Sequence, residues 1–142
     1  MGAQGGTGKQ RNALGVLYAR YGLLAEAKAE FQQAFDKGFV SALVNMGNVA
    51  FLQKDFEAAA AIFEKALSLL PENKAALIGL ARARYELDAY AEADELFGRV
   101  RTIDPALAER YAYLSSKVDV STTRASSAAA DRGGAMSWSE GD

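Results

Sequence analysis

The chain has 142 residues, half of them hydrophobic and 24% charged, with a net charge of −2. That is room for one core or one short repeat array, and the slight acidity gives nucleic acid or an anionic membrane no basic face to bind. Neither cysteine nor histidine occurs, which removes disulfides, thiolate nucleophiles, the commonest general base and the commonest metal ligand. No apolar run approaches the ~20 residues of a membrane span, so no membrane insertion is expected. The opening residues hold no apolar signal region, so a cytoplasmic chain is expected; a removed signal segment would leave the periplasm or the cell exterior open.

Residues 3–10 read AQGGTGKQ. A phosphate-binding loop requires G-x4-G-K-[ST] after a strand. Here Ala3 stands at the first glycine and Gln10 at the hydroxyl position, with only Met1 and Gly2 in front. Thr7-Gly8-Lys9-Gln10 fits a helix-starting capping box instead. Residues 1–7 are therefore expected to be a flexible glycine-rich leader, and a helix begins near Gly8.

From there to about residue 118 apolar residues recur at three- and four-residue steps, the spacing of amphipathic helices. The two prolines, Pro71 and Pro105, stand 34 residues apart. The same shift superposes Ala59 on Ala93, Phe63 on Phe97 and Phe56 on Tyr90. A shift of 32 superposes Gly15 on Gly47, Ala27 on Ala59, Phe31 on Phe63 and Ala34 on Ala66. The first unit is thus two residues shorter, in the loop near Lys37 to Val40. Each unit reads as two helices, split near Tyr21–Leu23, Lys54–Asp55 and Asp88–Ala89. Small residues at Gly15, Gly47 and Ala81, and at Ala27, Ala59 and Ala93, allow close helix approach. The rings of Phe31, Phe63 and Phe97 fill the space between, each burying ~150–250 Å².

These motifs resemble the tetratricopeptide repeat, W-x2-L-G-x2-Y, then A-x3-F, then P. They stand here as Leu14-Gly15-x2-Tyr18 with Ala27-x3-Phe31; Met46-Gly47 with Ala59-x3-Phe63 and Pro71; and Leu80-Ala81 with Ala93-x3-Phe97 and Pro105. Arg11, Leu43 and Leu77 replace the tryptophan, and Phe39 replaces the first proline. The resemblance covers residues 8–107. It implies an all-α, right-handed α-solenoid of three helix hairpins (about 8–39, 40–73 and 74–107). A C-terminal capping helix over about 106–118 makes seven helices. Leu107, Tyr111, Leu114 and Val118 mark the inner face of that cap, and Glu109, Arg110, Ser116 and Lys117 its wet side.

The resemblance also implies a non-catalytic scaffold that binds a peptide or helix of a partner protein in a concave groove lined by the first helix of each unit. By position, the groove residues are Asn12, Arg20, Asn45, Asn48, Phe51, Arg82, Tyr85 and Glu86. Asn amides suit a peptide backbone because each offers donors and an acceptor; the same residues also fit a scaffold role, and Val16, Val44 and Ile78 are read as packing. Some family members clamp a chaperone's C-terminal carboxylate with Lys and Asn, Asn, then Lys and Arg. Those positions hold Asn12 and Val16, Asn45, then Ala75 and Gly79, so no such clamp is expected. The carboxylates Glu57, Glu64, Glu92, Asp94 and Glu95 read as solvated helix faces, without calcium-loop spacing. No serine has an activating partner, so neither enzyme activity nor a metal or cofactor is expected. Self-association through repeat ends, or an origin as a piece of a larger protein, stands as the alternative.

Residues 119–142 are rich in Ser, Thr, Ala and Gly and read as a disordered tail. The tail nonetheless carries the sole tryptophan, Trp138, beside Glu140 and Asp142. A further expectation is that it folds into its own groove, or a neighbour's, near Arg82, so that deleting it raises partner affinity.

Overall fold

A computed structural model describes residues 6–115 and 136–140. Seven α-helices follow in order: α1 Gly8–Arg20, α2 Leu24–Asp36, α3 Ala42–Leu52, α4 Phe56–Leu69, α5 Lys74–Glu86, α6 Tyr90–Ile103 and α7 Pro105–Glu109. One turn of 3-10 helix follows at Ala112–Leu114. Among the described residues there is no strand. Residues 1–5 of the expected leader and 116–118 of the expected cap lie outside the described residues.

The capping box forms as its spacing predicts. The Gln10 amide donates to Thr7 Oγ1 at 3.0 Å, and the Thr7 amide donates to Gln10 Oε1 at 2.8 Å. Gly8 is a packing residue: a Cβ there would lie 2.8 Å from the Cβ of Phe39. The sequence that resembles a phosphate loop therefore starts a helix that lies close against the end of α2.

Each hairpin turns on one residue in the left-handed region: Gly22 (φ 76°), Lys54 (φ 63°) and Asp88 (φ 64°). The next amide reaches back five residues, Leu23 to Tyr18, Asp55 to Ala50 and Ala89 to Arg84, which closes the helix end in a Schellman motif. Glycine adopts this conformation freely; a residue with a Cβ is disfavoured there by ~1–2 kcal/mol. Lys54→Gly should therefore stabilise the chain by ~0.5–1 kcal/mol, once the added freedom of the unfolded glycine is counted. A urea midpoint that fails to rise would contradict this.

The hairpins pair α1 with α2, α3 with α4 and α5 with α6, and successive hairpins meet through α2–α3 and α4–α5. The first helices also touch one another, α1 with α3 and α3 with α5. They line the inner side of the stack. Phe31 and Phe63 are fully buried between helices. A Cβ at Gly47 would lie 2.6 Å from the Phe63 ring, and one at Gly79 only 2.4 Å from it. Phe63 is thus wedged between its own hairpin and the next. At the position of the family tryptophan, Arg11 instead pairs with Glu30 of α2 at 2.9 Å. Arg84 pairs with Glu64 of α4 and, at 3.7 Å, with Glu92 of α6, so two carboxylates expected to be merely solvated tie neighbouring helices.

The cap departs from the expected continuous helix. It stops at Glu109, and Tyr111, Tyr113 and Leu114 are all buried. In an unbroken helix residues 111 and 113 would point about 200° apart; breaking it lets both tyrosines turn inward. Asp104 closes α6 and caps α7, accepting the Leu107 amide at 3.1 Å and the Lys74 ammonium at 3.0 Å. These two partners, the amide foremost, hold its carboxyl below the ordinary aspartate value. A depressed folded-state pKa adds stability above the unfolded value and loses it as pH falls through the folded one. Asp104→Asn, which keeps a capping side chain, should therefore melt below the parent at neutral pH. The gap between the two Tm values should begin to narrow as pH drops below about 4 and go on narrowing as pH falls through the folded value; a gap that does not narrow would refute the assignment.

Candidate functional site

Four polar side chains are buried on the inner helices: Asn12 of α1, Asn45 and Asn48 of α3 and Arg82 of α5. Asn45 and Asn48 are three residues apart, so they share one helix face. A buried amide is costly unless bonded, and here the bonds go to the backbone of residues 136–140. Asn45 engages Ser139 twice: its Nδ2 donates to the Ser139 carbonyl at 2.7 Å, and the Ser139 amide donates to its Oδ1 at 2.7 Å. Asn12 Nδ2 donates to the same carbonyl at 2.8 Å, and Asn48 Nδ2 donates to the Ser137 carbonyl at 2.8 Å. Asn45 Nδ2 also donates to Asn12 Oδ1 at 2.8 Å, fixing the two amides relative to each other.

The backbone contacts thus fall on residues 137 and 139, and the side chains between them contact other groups. Trp138 packs on the buried apolar cluster that includes Val16, Ala27, Phe31 and Val49, its ring stacked 6.0 Å from that of Phe31. Glu140 meets Arg20 at 3.4 Å. Met136 borders a cavity of about 220 Å³ walled by Asn48, Ile78, Gly79, Arg82 and Tyr111. The Arg82 guanidinium lies 4.6 Å from the Phe51 ring centre and 5.6 Å from that of Tyr111.

Of the expected groove residues, Asn12, Arg20, Asn45 and Asn48 contact the segment, and Arg82 over Phe51 walls the adjoining cavity. Tyr85 belongs to an aromatic core instead, edge-on to Tyr90 at 5.0 Å and Tyr113 at 5.2 Å. Glu86 is half-buried at the end of α5. The disordered reading of 119–142 does not hold for 136–140, which are seated in the groove; 119–135 and 141–142 lie outside the described residues. Within the groove it is Met136 that borders Arg82, whereas the acidic Glu140 lies by Arg20. The seats of Met136 and Ser139 were not foreseen; the sole tryptophan beside an acidic residue was the signal available. Among the described residues no three acidic side chains gather to hold a metal ion, and no helix is long and apolar enough to cross a membrane.

Stacked hairpins with an extended segment along their inner face define a helical-repeat scaffold. Residues 50–118 match the family model described as tetratricopeptide repeat, so that stretch of the chain carries tetratricopeptide repeats. Among solved structures it is similar to the first TPR of Spaghetti (RPAP3), bound there to the HSP90 peptide SRMEEVD. The two share a TM-score of 0.68 and 22% identity, over 70% of this chain and 82% of that one. No curated protein matches the chain.

Proposed function

We propose that this chain is a non-catalytic interaction module that holds an extended segment of a partner protein in its concave groove, chiefly by the segment's backbone. The supporting observation is the set of amides on Asn12, Asn45 and Asn48, which take the carbonyls of Ser137 and Ser139. Backbone bonds of this kind bind without demanding a particular side chain, as when a peptide adds to a sheet edge. The peptide in the Spaghetti structure ends in two glutamates, a valine and an aspartate. The present groove lacks the third-unit cations of a carboxylate clamp: Ala75 and Gly79 occupy those positions. Gly79 has no room for a longer side chain, because a Cβ would meet Phe63 at 2.4 Å. Reversing the charge at a bound peptide's C-terminus should barely change its affinity.

The test is to pan a randomised peptide library against the full chain and against Asn48→Ala, with melting curves to show that the variant folds. Peptides recovered by the parent should be lost to the variant. Recovery of the same peptides by both would overturn the proposal. The second reading, self-association, is favoured by Leu17, Tyr21 and Leu23, which are 50%, 76% and 44% exposed on the first hairpin. Light scattering across a concentration series decides it.

A further inference from the structure

The seated segment contains more than backbone. Its side-chain contacts come at alternate positions: Met136 at the cavity, Trp138 on the first hairpin's core and Glu140 at Arg20. The intervening Ser137 and Ser139 give their backbone to the asparagines. This two-residue alternation is that of an extended strand, in which alternate side chains share a face. Each seat has its own chemistry. The cavity beside Met136 is lined mainly by apolar side chains of α5 and the cap, Ile78, Leu107 and Tyr111 among them. The Trp138 seat is apolar: the ring stacks on Phe31 and packs on the buried cluster that Phe31 shares with Val16, Ala27 and Val49. Arg20 supplies a cation at the far end, 62% exposed.

We propose, resting on the groove reading above, that the partner's segment carries the same pattern: an apolar residue, a tryptophan and an acidic residue at alternate positions, with small residues between. Residues 136–140 are then an internal copy of the ligand, and a partner must displace them. The tryptophan contributes most of the selectivity, since a large aromatic anchor in a pocket dominates such interfaces. The acidic residue contributes less, because its ion pair is exposed. The backbone grip alone discriminates poorly; the three seats make the groove selective.

The test uses the full chain throughout, with the labelled peptide AMSWSEG as probe, followed by fluorescence anisotropy. Trp138→Ala weakens the internal copy and leaves the groove intact, so this variant should bind the probe at least tenfold more tightly than the parent. Equal affinity for parent and variant would overturn the internal-copy claim. A probe with alanine for tryptophan should bind the Trp138→Ala chain at least tenfold more weakly than the original probe. If it binds as well, yet Asn48→Ala still abolishes binding, the side-chain pattern is wrong and the backbone-reading groove survives. If adding Asn48→Ala to the Trp138→Ala chain leaves its affinity for the probe unchanged, the groove reading fails as well. A probe with lysine for glutamate should bind the Trp138→Ala chain only a few-fold more weakly and regain that loss when Arg20→Glu is added; no regain would remove the acidic position from the pattern. Light scattering of the parent should show a monomer. A dimer that dissociates on Trp138→Ala would place the segment in a second copy's groove and overturn self-occupancy.

Discussion

Phe63→Ala should destabilise the chain by about 3–5 kcal/mol, the cost of truncating a well-packed core aromatic. The value should fall at the upper end because of what surrounds the ring. Phe63 is wholly buried, and it touches the backbone at Gly47 of its own hairpin and at Gly79 of the next. No small movement of one helix refills the space, since both sides rest on the same ring. The converse substitution is equally diagnostic. Gly79→Ala places a Cβ 2.4 Å from the ring, an overpacking that costs about 1–3 kcal/mol or more. Phe63→Leu should relieve part of that loss, so the double variant should be more stable than the sum of the single losses. Urea denaturation monitored by helical circular dichroism measures all three; strict additivity would mean that Phe63 and Gly79 do not share the contact.

The second large effect is at Asn45. Its side chain makes three hydrogen bonds at 2.7–2.8 Å, two to Ser139 and one to Asn12, and it is entirely buried. Asn45→Ala removes those to Ser139 and leaves Asn12 Oδ1 without its donor in a buried site. A buried group stripped of its partner costs about 1–3 kcal/mol. In the Trp138→Ala background, affinity for a groove-bound segment should fall about 5- to 160-fold, by loss of two backbone bonds at about 0.5–1.5 kcal/mol each. Asn45→Asp keeps the shape but turns the donor into a buried carboxylate oxygen facing two acceptors, Asn12 Oδ1 and the Ser139 carbonyl, so it should be no more stable than Asn45→Ala and bind equally poorly. Isothermal titration with the probe peptide, beside melting curves, separates the two effects. Asn45→Ala added to the Trp138→Ala chain without loss of probe affinity would show that the amide is scaffold.

The hairpin fold was legible because its rules are local. The spacing of Ala27, Ala59 and Ala93 from Phe31, Phe63 and Phe97 marks the interlocked faces, and the turn near Lys54 falls where the apolar spacing changes phase. Asn45 and Asn48 were legible by family position as polar residues of an inner helix. Tyr85 lies on inner helix α5 as read, but its packing was not legible, because nothing in the sequence shows that Tyr113 turns back onto it. The end of the cap was hidden for the same reason, since Tyr111 and Tyr113 share a side only once the helix breaks. The seat of Trp138 was half legible. A serine-rich stretch has no face of its own, and its two-residue alternation has meaning only beside the asparagines that take its backbone.

The contact between Asn12 and Ser139 spans 127 positions along the chain, whereas the hairpins join immediate neighbours in sequence. Distance along the chain becomes time during synthesis. Small helical units form in microseconds to milliseconds. The 25 residues from Ser115 to Glu140 take about 1–5 s to add at 5–20 residues per second. Where the hairpins fold before residues 136–140 reach them, the groove exists and its internal occupant does not. A partner present where the chain is made meets a vacant site, while one that arrives later must compete with Trp138.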